Sequence, residues 1–211
     1  MLSKINIFLK STLGKLILAA VILHMFTYFG TRLFTTGFHH YDMSTGADRL
    51  IPLLPWTVVI YLGCYVFWAV NYTLGCTQDE ENAIIFILTE IISKSVCLFC
   101  YVVIPATLTR PVIEGTGIFD KALIWLYAAD PADNLFPSIH CLSSWICVIA
   151  VRDQKRIPNV YKAVTVVLAI MVCISTLTTK QHVIVDVIAG ILLAEISYRI
   201  ASRLQPLIPS P

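Results

Sequence analysis

Charged side chains are rare along this chain, and the intervals between them are long and apolar. Residues 16–31, 50–78 and 163–179, for example, contain no charged residue. A helix needs roughly 20 predominantly apolar residues to cross the hydrocarbon core of a bilayer. The pattern therefore predicts six membrane-spanning helices. They lie near residues 14–31, 55–75, 83–106, 137–151, 161–178 and 183–202.

The composition agrees with this pattern. Of the 211 residues, 57% are hydrophobic and 13% are charged, whereas soluble domains carry about 25% charged residues. The mean hydropathy of +0.79 likewise excludes a soluble globule. We expect an all-α fold, in which residues 1–211 form one integral membrane domain, a bundle of six transmembrane helices. A short apolar and aromatic segment at 118–129 is predicted to lie in the membrane interface between the third and fourth helices.

Lysine and arginine are distributed unequally between the two sides of such a bundle. The side that holds both termini has nine: Lys4, Lys10, Lys15, Arg152, Lys155, Arg156, Lys162, Arg199 and Arg203. The other side has five: Arg32, Arg49, Arg110, Lys121 and Lys180. The positive-inside rule therefore predicts a multi-pass plasma membrane protein with cytoplasmic termini, and with the loops at 32–54, 107–136 and 178–182 outside.

His182 and Asp186 open the sixth predicted span, on its outer side. Residues four apart on a helix share one face, so the carboxylate can accept a hydrogen bond from one imidazole nitrogen. The other nitrogen then keeps a free lone pair, and the histidine becomes a competent nucleophile. The alternative interpretation is a structural pair at the membrane interface.

The stretch "NLFPSIH" opens the fourth predicted span on the same side. Pro137 suits the first turn of a helix, and Asn134 could cap it nearby. The free backbone N–H groups, together with the Ser138 hydroxyl, would form an anion site. His140 lies in that turn, where it can protonate a leaving oxygen. An ordinary capped helix start is the alternative.

Two cations also fall on the predicted outer face. Arg110, before Pro111, offers a planar cation suited to phosphate, and Lys180 lies at the mouth of the sixth span. Either side chain could instead contact lipid headgroups. Taken together with the histidines, the set suits phosphoryl transfer, which depends on positioning and charge neutralisation. This chemistry requires no metal, and no carboxylate cluster is present to hold one, so we expect no cofactor.

The order of these motifs resembles the type 2 phosphatidic acid phosphatase superfamily, the membrane lipid phosphate phosphatases. The family pattern is K-x6-R-P, P-S-x-H and S-R-x5-H-x3-D. Matching residues are Arg110-Pro111, Pro137-Ser138-Ile139-His140, Ser175, His182 and Asp186. The resemblance implies that His182 attacks phosphorus, Asp186 supports it and His140 protonates the departing alcohol. Arg110, Ser138 and Lys180 would hold the phosphate, and water would release it from a phosphohistidine.

Two positions depart from the family pattern. Val103 stands where the family has its lysine, and Thr176 stands where it has an arginine. Lys180 is a candidate replacement for one of these cations. The departures keep two alternatives open: a phosphotransferase that passes a headgroup to a lipid alcohol, as in sphingolipid-synthase-like branches, and a degenerate protein that binds lipid phosphates without turnover.

The expected partners are a lipid phosphate substrate and the bilayer. Nucleic acid is not expected, because the net charge of +2 comes from basic residues that border the spans. The sequence predicts no oligomeric state. Two further charged pairs have i,i+4 spacing, and both are interpreted as structural: Glu90 with Lys94 inside the third span, and Glu195 with Arg199 near the inner end of the sixth.

Overall fold

The structure is a computed structural model that describes residues 11–208. The predicted cytoplasmic Lys4 and Lys10 lie outside the described residues. The helices of eight or more residues are α1 (Thr12–Met25), α4 (Val58–Cys76), α5 (Glu80–Val103), α6 (Ile118–Ala129), α7 (Ile139–Arg152), α8 (Asn159–Thr178) and α9 (Ile184–Leu204). Shorter elements are a π-helical turn (Phe26–Gly30), α2 (Thr31–Thr35), α3 (Gly46–Leu50) and two 3-10 turns (Pro55–Thr57, Gln205–Leu207).

Four helical stretches of the described chain are long and apolar enough to cross a membrane. They are Thr12–Thr35, Pro55–Cys76, Glu80–Val103 and Asn159–Thr178. The predicted all-helical architecture is therefore present, together with four of the six expected spans. The first stretch is longer than the predicted 14–31, because helical backbone continues through the π-helical turn into α2.

The two remaining predicted spans differ from these four. Helix α7 has 14 residues, so at 1.5 Å per residue it is about 21 Å long, short of the roughly 30 Å hydrocarbon core. Helix α9 has 21 residues but carries Asp186, Glu195, Arg199 and Arg203. The predicted interfacial segment is the helix α6, and its depth in a membrane stays a prediction.

Helix α7 is the centre of the bundle. It packs against α4, α5, α8 and α9, and of its residues only Trp145 and Arg152 are not buried. The outer helices show the opposite pattern, since they expose large apolar side chains such as Val66, Val160 and Leu192. Soluble proteins rarely expose contiguous apolar surface on this scale. Extensive apolar surface on the outer helices is the arrangement expected for a protein surrounded by lipid.

A two-residue parallel strand pair joins the loops at one end of the bundle. Strand β1 (Tyr41–Asp42) pairs with β2 (Ala106–Thr107), with Tyr41 opposite Ala106. This pairing holds the loop after α2 against the segment that follows α5. That segment leads directly to Arg110.

The two interior charged pairs have different outcomes. Lys94 lies 3.7 Å from Glu90, as the i,i+4 spacing predicts. Within the described residues, Glu195 and Arg199 are not in direct ion-pair contact. Glu195 accepts hydrogen bonds from Arg152 (2.6 Å) and Trp145 (2.8 Å) instead, because α7 packs beside α9 and presents both donors to the carboxylate.

Candidate active site

The first turns of α7 and α9 lie side by side. The Ser138 amide donates to the Asp186 carbonyl at 3.1 Å. Gly190 permits this approach, because a Cβ there would lie 2.7 Å from the Ser138 carbonyl oxygen. Two stretches that are far apart in sequence thus bring His140 and His182 together.

His182 is oriented by the helix that it precedes. Its Nδ1 lies 3.3 Å from Asp186 Oδ2, which also accepts the Val183 amide at 3.0 Å. An ionised carboxylate can only accept hydrogen bonds, so Nδ1 carries the proton and Nε2 keeps its lone pair. The 3.3 Å separation is long, as is common for catalytic pairs before substrate binds. A histidine with this tautomer presents a nucleophilic nitrogen.

His140 lies in an aromatic enclosure. Its ring stacks on Tyr61, with ring centroids 4.4 Å apart, and Trp68 and Tyr65 lie at 5.4 and 6.3 Å. The ring of His182 is 5.9 Å away, centroid to centroid. The Nε2 atom of His140 is buried and has no hydrogen-bond partner. It is therefore available to a group placed between the two histidines.

Ser138 is the N-cap of α7. Its hydroxyl oxygen accepts the Cys141 amide at 3.3 Å, and the residue is fully buried. The capping interaction accounts for the position of the helix start. The contact of the hydroxyl with a phosphate stays a prediction.

Arg110 is held by the loops around the site. It donates to the Asp130 carbonyl at 2.7 Å and to the Gln181 side-chain oxygen, and it stacks on Tyr127 at 4.6 Å. Its Nε is buried without a partner. Burial lowers the pKa of Arg110 from its ordinary value, and the Asp130 charge opposes this shift. The guanidinium is thus positioned by neutral acceptors and has a donor left for a ligand.

Lys180 has a different set of contacts from the one that the phosphate-binding prediction suggests. Its ammonium donates to the carbonyl oxygens of Asp48 (3.0 Å) and Ile51 (2.6 Å), and its backbone has a positive φ of 54°. Desolvation lowers the pKa of Lys180 while Asp48 raises it. Lys180 thus ties the loop around α3 to the start of α9.

Two cavities meet at His182. An open groove of about 330 Å³ is lined by polar and apolar residues of the loops, including Arg49, Arg110, Lys180 and His182. A much smaller cavity of about 20 Å³ lies between His140 and His182 and is also lined by Asp130 and Arg32. That volume holds about one water molecule. A phosphate would reach His182 from the groove, since the small cavity is too confined for it.

The two departures from the expected cation pattern differ in position. Val103 is half-exposed at the end of α5, whereas Thr176 is fully buried and donates to the Cys173 carbonyl at 2.7 Å.

Arg49, which the sequence placed only among the cations of the predicted outer side, adds a third cation to the groove. Within residues 11–208, no three His, Cys, Asp or Glu side chains are grouped so as to hold a metal ion.

Five residues at the site were not predicted from the sequence. Arg32 donates to Asp130 at 2.7 Å and to Asp133 at 2.8 Å, while Tyr61 and Gln181 contact His140 and Arg110. The acidic loop 130–133 carried a partial signal in the sequence. Two carboxylates close together in a predicted outer loop indicate that a positively charged side chain pairs with them. Tyr61 gave no such signal, because a tyrosine inside an apolar span is not distinctive.

Comparison with known proteins decides the family. A family model described as the PAP2 superfamily matches residues 52–200, well over half of the chain. The chain belongs to the PAP2 superfamily. As a PAP2 superfamily member with apolar helices, it is a membrane phosphatase-like protein.

One curated relative gives no further functional information. An uncharacterized protein of Methanocaldococcus jannaschii is 40% identical over 63 residues, a segment that covers 30% of this chain and 25% of that protein. The match thus spans about a quarter of the relative's length. No solved structure matches the chain significantly.

Proposed function

We propose that this protein is an integral membrane lipid phosphate phosphatase that works through a phosphohistidine on His182. The observation that carries the proposal is the pair of histidine rings, 5.9 Å apart, one backed by Asp186 and the other with a free Nε2. A phosphate that enters from the groove and widens the small cavity between the rings would be placed for in-line displacement, with the nucleophile on one side of phosphorus and the acid on the other.

In the first step, the Nε2 lone pair of His182 attacks phosphorus. The bond between phosphorus and the lipid oxygen breaks, and His140 Nε2 gives its proton to that oxygen. Asp186 accepts the hydrogen bond from Nδ1 of His182 and compensates the positive charge that develops on the ring. In the second step, His140 removes a proton from water, which attacks the phosphohistidine and releases phosphate.

The phosphate oxygens would be held from the groove side. Arg110 and the exposed Arg49 line that groove, and Lys180 contributes its charge while it holds the loop. Ser138 lines neither cavity, so its proposed contact with phosphate requires the start of α7 to open. The chemistry of these groups calls for no metal. Lipid is the favoured substrate class, since the site lies at one end of a bundle whose flanks expose apolar side chains.

The reaction can be tested on protein purified in detergent. Phosphatidic acid and farnesyl diphosphate, assayed in the presence of a chelator, should each be checked for phosphate release. We expect release by the native protein and none by His182→Ala. Activity that survived this substitution would disprove the covalent mechanism. A new phospholipid, formed when a lipid alcohol is added, would instead support the phosphotransferase alternative.

We further propose six spans in the plasma membrane, cytoplasmic termini and a site on the outer face. Glu114 and Lys155 are both exposed and lie at opposite predicted sides, so they form a matched pair. A membrane-impermeant maleimide added to intact cells should label Glu114→Cys but not Lys155→Cys. The reverse labelling would overturn the orientation. Labelling of the unsubstituted protein is the control for its native cysteines.

A further inference from the structure

A chain of polar contacts leads away from His140, on the side of the ring opposite the free nitrogen. Nδ1 of His140 lies 3.3 Å from the hydroxyl of Tyr61, which in turn lies 3.3 Å from Asp130 Oδ2. Tyr61 is 1% exposed. The three groups come from α7, from α4 and from the loop after α6. Their meeting is therefore a property of the tertiary structure.

The donors and acceptors can be assigned along this chain. Asp130 Oδ1 accepts from Tyr28 at 2.9 Å and from Arg32 at 2.7 Å. Burial opposes ionisation of Asp130, but the neighbouring His140 and the bonds from Arg32 and Tyr28 lower its pKa below the ordinary value. The ionised carboxylate can only accept, so Tyr61 donates its single proton to Asp130. The Tyr61 oxygen must then accept from Nδ1–H of His140.

We infer that Tyr61 and Asp130 are positioning residues for His140, which they hold with Nδ1 protonated and Nε2 directed at the reacting oxygen. This inference rests on the proposed function and extends it. When His140 carries its second proton, the Asp130 charge, relayed by the Tyr61 hydroxyl, compensates the positive ring. The proton on Nε2 passes to the leaving oxygen as its bond to phosphorus breaks, while the Nδ1 proton stays in place.

Asp130 also joins this relay to phosphate binding. Its carbonyl oxygen accepts from Arg110 at 2.7 Å, while its carboxylate reaches Tyr61. One loop residue therefore contacts both the predicted phosphate-binding arginine and the partner of the general acid. A phosphate bound by Arg110 would therefore lie at a fixed position relative to His140.

The test compares two substrates that differ in their leaving group, so that a loss of acid catalysis can be separated from a loss of folded structure. Octyl phosphate has a poor leaving group, which needs a proton, whereas p-nitrophenyl phosphate has a good one, which departs without protonation. We expect Tyr61→Phe to lower kcat/KM for octyl phosphate, which reports the step that forms the phosphohistidine, about 10- to 100-fold. The kcat/KM for p-nitrophenyl phosphate should change by less than about threefold, because its leaving group departs without a proton.

Tyr198→Phe is the matched control. The Tyr198 hydroxyl also donates to a carboxylate at 3.3 Å, that of Asp153, but it lies 14 residues beyond the start of α9, about 21 Å from the site end of that helix. This variant should behave as the native protein with both substrates. Asp130→Asn should repeat the leaving-group selectivity of Tyr61→Phe.

Two results would overturn the inference. One is an equal loss for both substrates in Tyr61→Phe, which would indicate a structural role. The other is a native kcat/KM for octyl phosphate in both Tyr61→Phe and Asp130→Asn. A native protein that releases phosphate from neither probe would instead reject the proposed function, so the two failures are distinct.

Discussion

The two histidines of the candidate site are oriented by different kinds of contact. His182 is held by Asp186, four residues away on the helix that it precedes, at 3.3 Å. His140 is held by Tyr61, which is 79 residues away in sequence, and through it by Asp130. The first arrangement is built into seven consecutive residues, 180–186, whereas the second needs three separate elements to pack correctly.

This difference suggests a division of tasks. The nucleophile must keep one tautomer throughout the reaction, and a carboxylate in direct contact is the strongest way to ensure this. The acid must gain and lose a proton in each cycle. The Asp130 carboxylate acts through the intervening Tyr61 hydroxyl, so it stabilises the protonated ring less strongly than direct contact would. The proton can therefore leave the ring more easily.

Loss of the nucleophile should have the largest effect. His182→Ala removes the atom that bonds to phosphorus, so activity should fall at least about 10⁴-fold, as when the nucleophile of other covalent enzymes is removed. Radiolabelled substrate and an alkaline quench, which preserves phosphohistidine, should label the native protein and not the variant. Label retained by the variant would place the covalent link elsewhere.

The two carboxylates should differ in importance. Asp186→Asn should lower kcat about 10³-fold, because an amide disturbs the tautomer of the directly bonded histidine. Asp130→Asn, one hydroxyl further from its histidine, should cost only about 10- to 100-fold with an alkyl phosphate. Equal losses in these two variants, measured side by side on octyl phosphate, would remove the distinction between direct and relayed orientation.

The close approach of α7 and α9 should be sensitive to one methyl group. Gly190→Ala places a Cβ 2.7 Å from the Ser138 carbonyl oxygen. Overpacking of this kind costs about 1–3 kcal/mol, and displacement of the histidines should lower kcat roughly tenfold. Gly63→Ala, where nothing lies within 4 Å of the added carbon, is the control. Thermal unfolding in detergent and phosphate release measure both effects, and identical behaviour of the two variants would refute the packing argument.

Lys180 should have the smallest effect on the chemical step. Lys180→Met removes two hydrogen bonds to loop carbonyls, each worth about 1 kcal/mol or somewhat more for a charged donor. We expect a lower unfolding temperature and a KM raised less than about tenfold, with kcat nearly unchanged. A large fall in kcat would show that the ammonium leaves these carbonyls to bind the transition state.

The sequence predicts the local part of the site well. The i,i+4 spacing of His182 and Asp186 follows from a short stretch and appears in the structure as a close contact. Helical periodicity is a property of adjacent residues, which is why it can be read directly. The same holds for the four long apolar helices. The predicted cap of α7 is wrong in its residue, since Ser138 caps the helix and Asn134 instead donates to Thr31.

The non-local part could not be predicted in this way. The pairing of Glu195 with Arg152, the loop contacts of Lys180 and the relay from His140 to Asp130 all join elements whose relative position depends on packing. In each case the sequence offers several partners of suitable charge.

The sequence by itself determined that this is a helical membrane protein and which short motifs are candidates to carry its chemistry, because hydrophobicity and helical spacing act over a few residues. The tertiary structure alone decided how the second histidine is oriented and which cations face the groove. Those outcomes depend on how α4, α7 and the loops pack against one another, and no pattern within any one of these segments specifies the partner that it will meet.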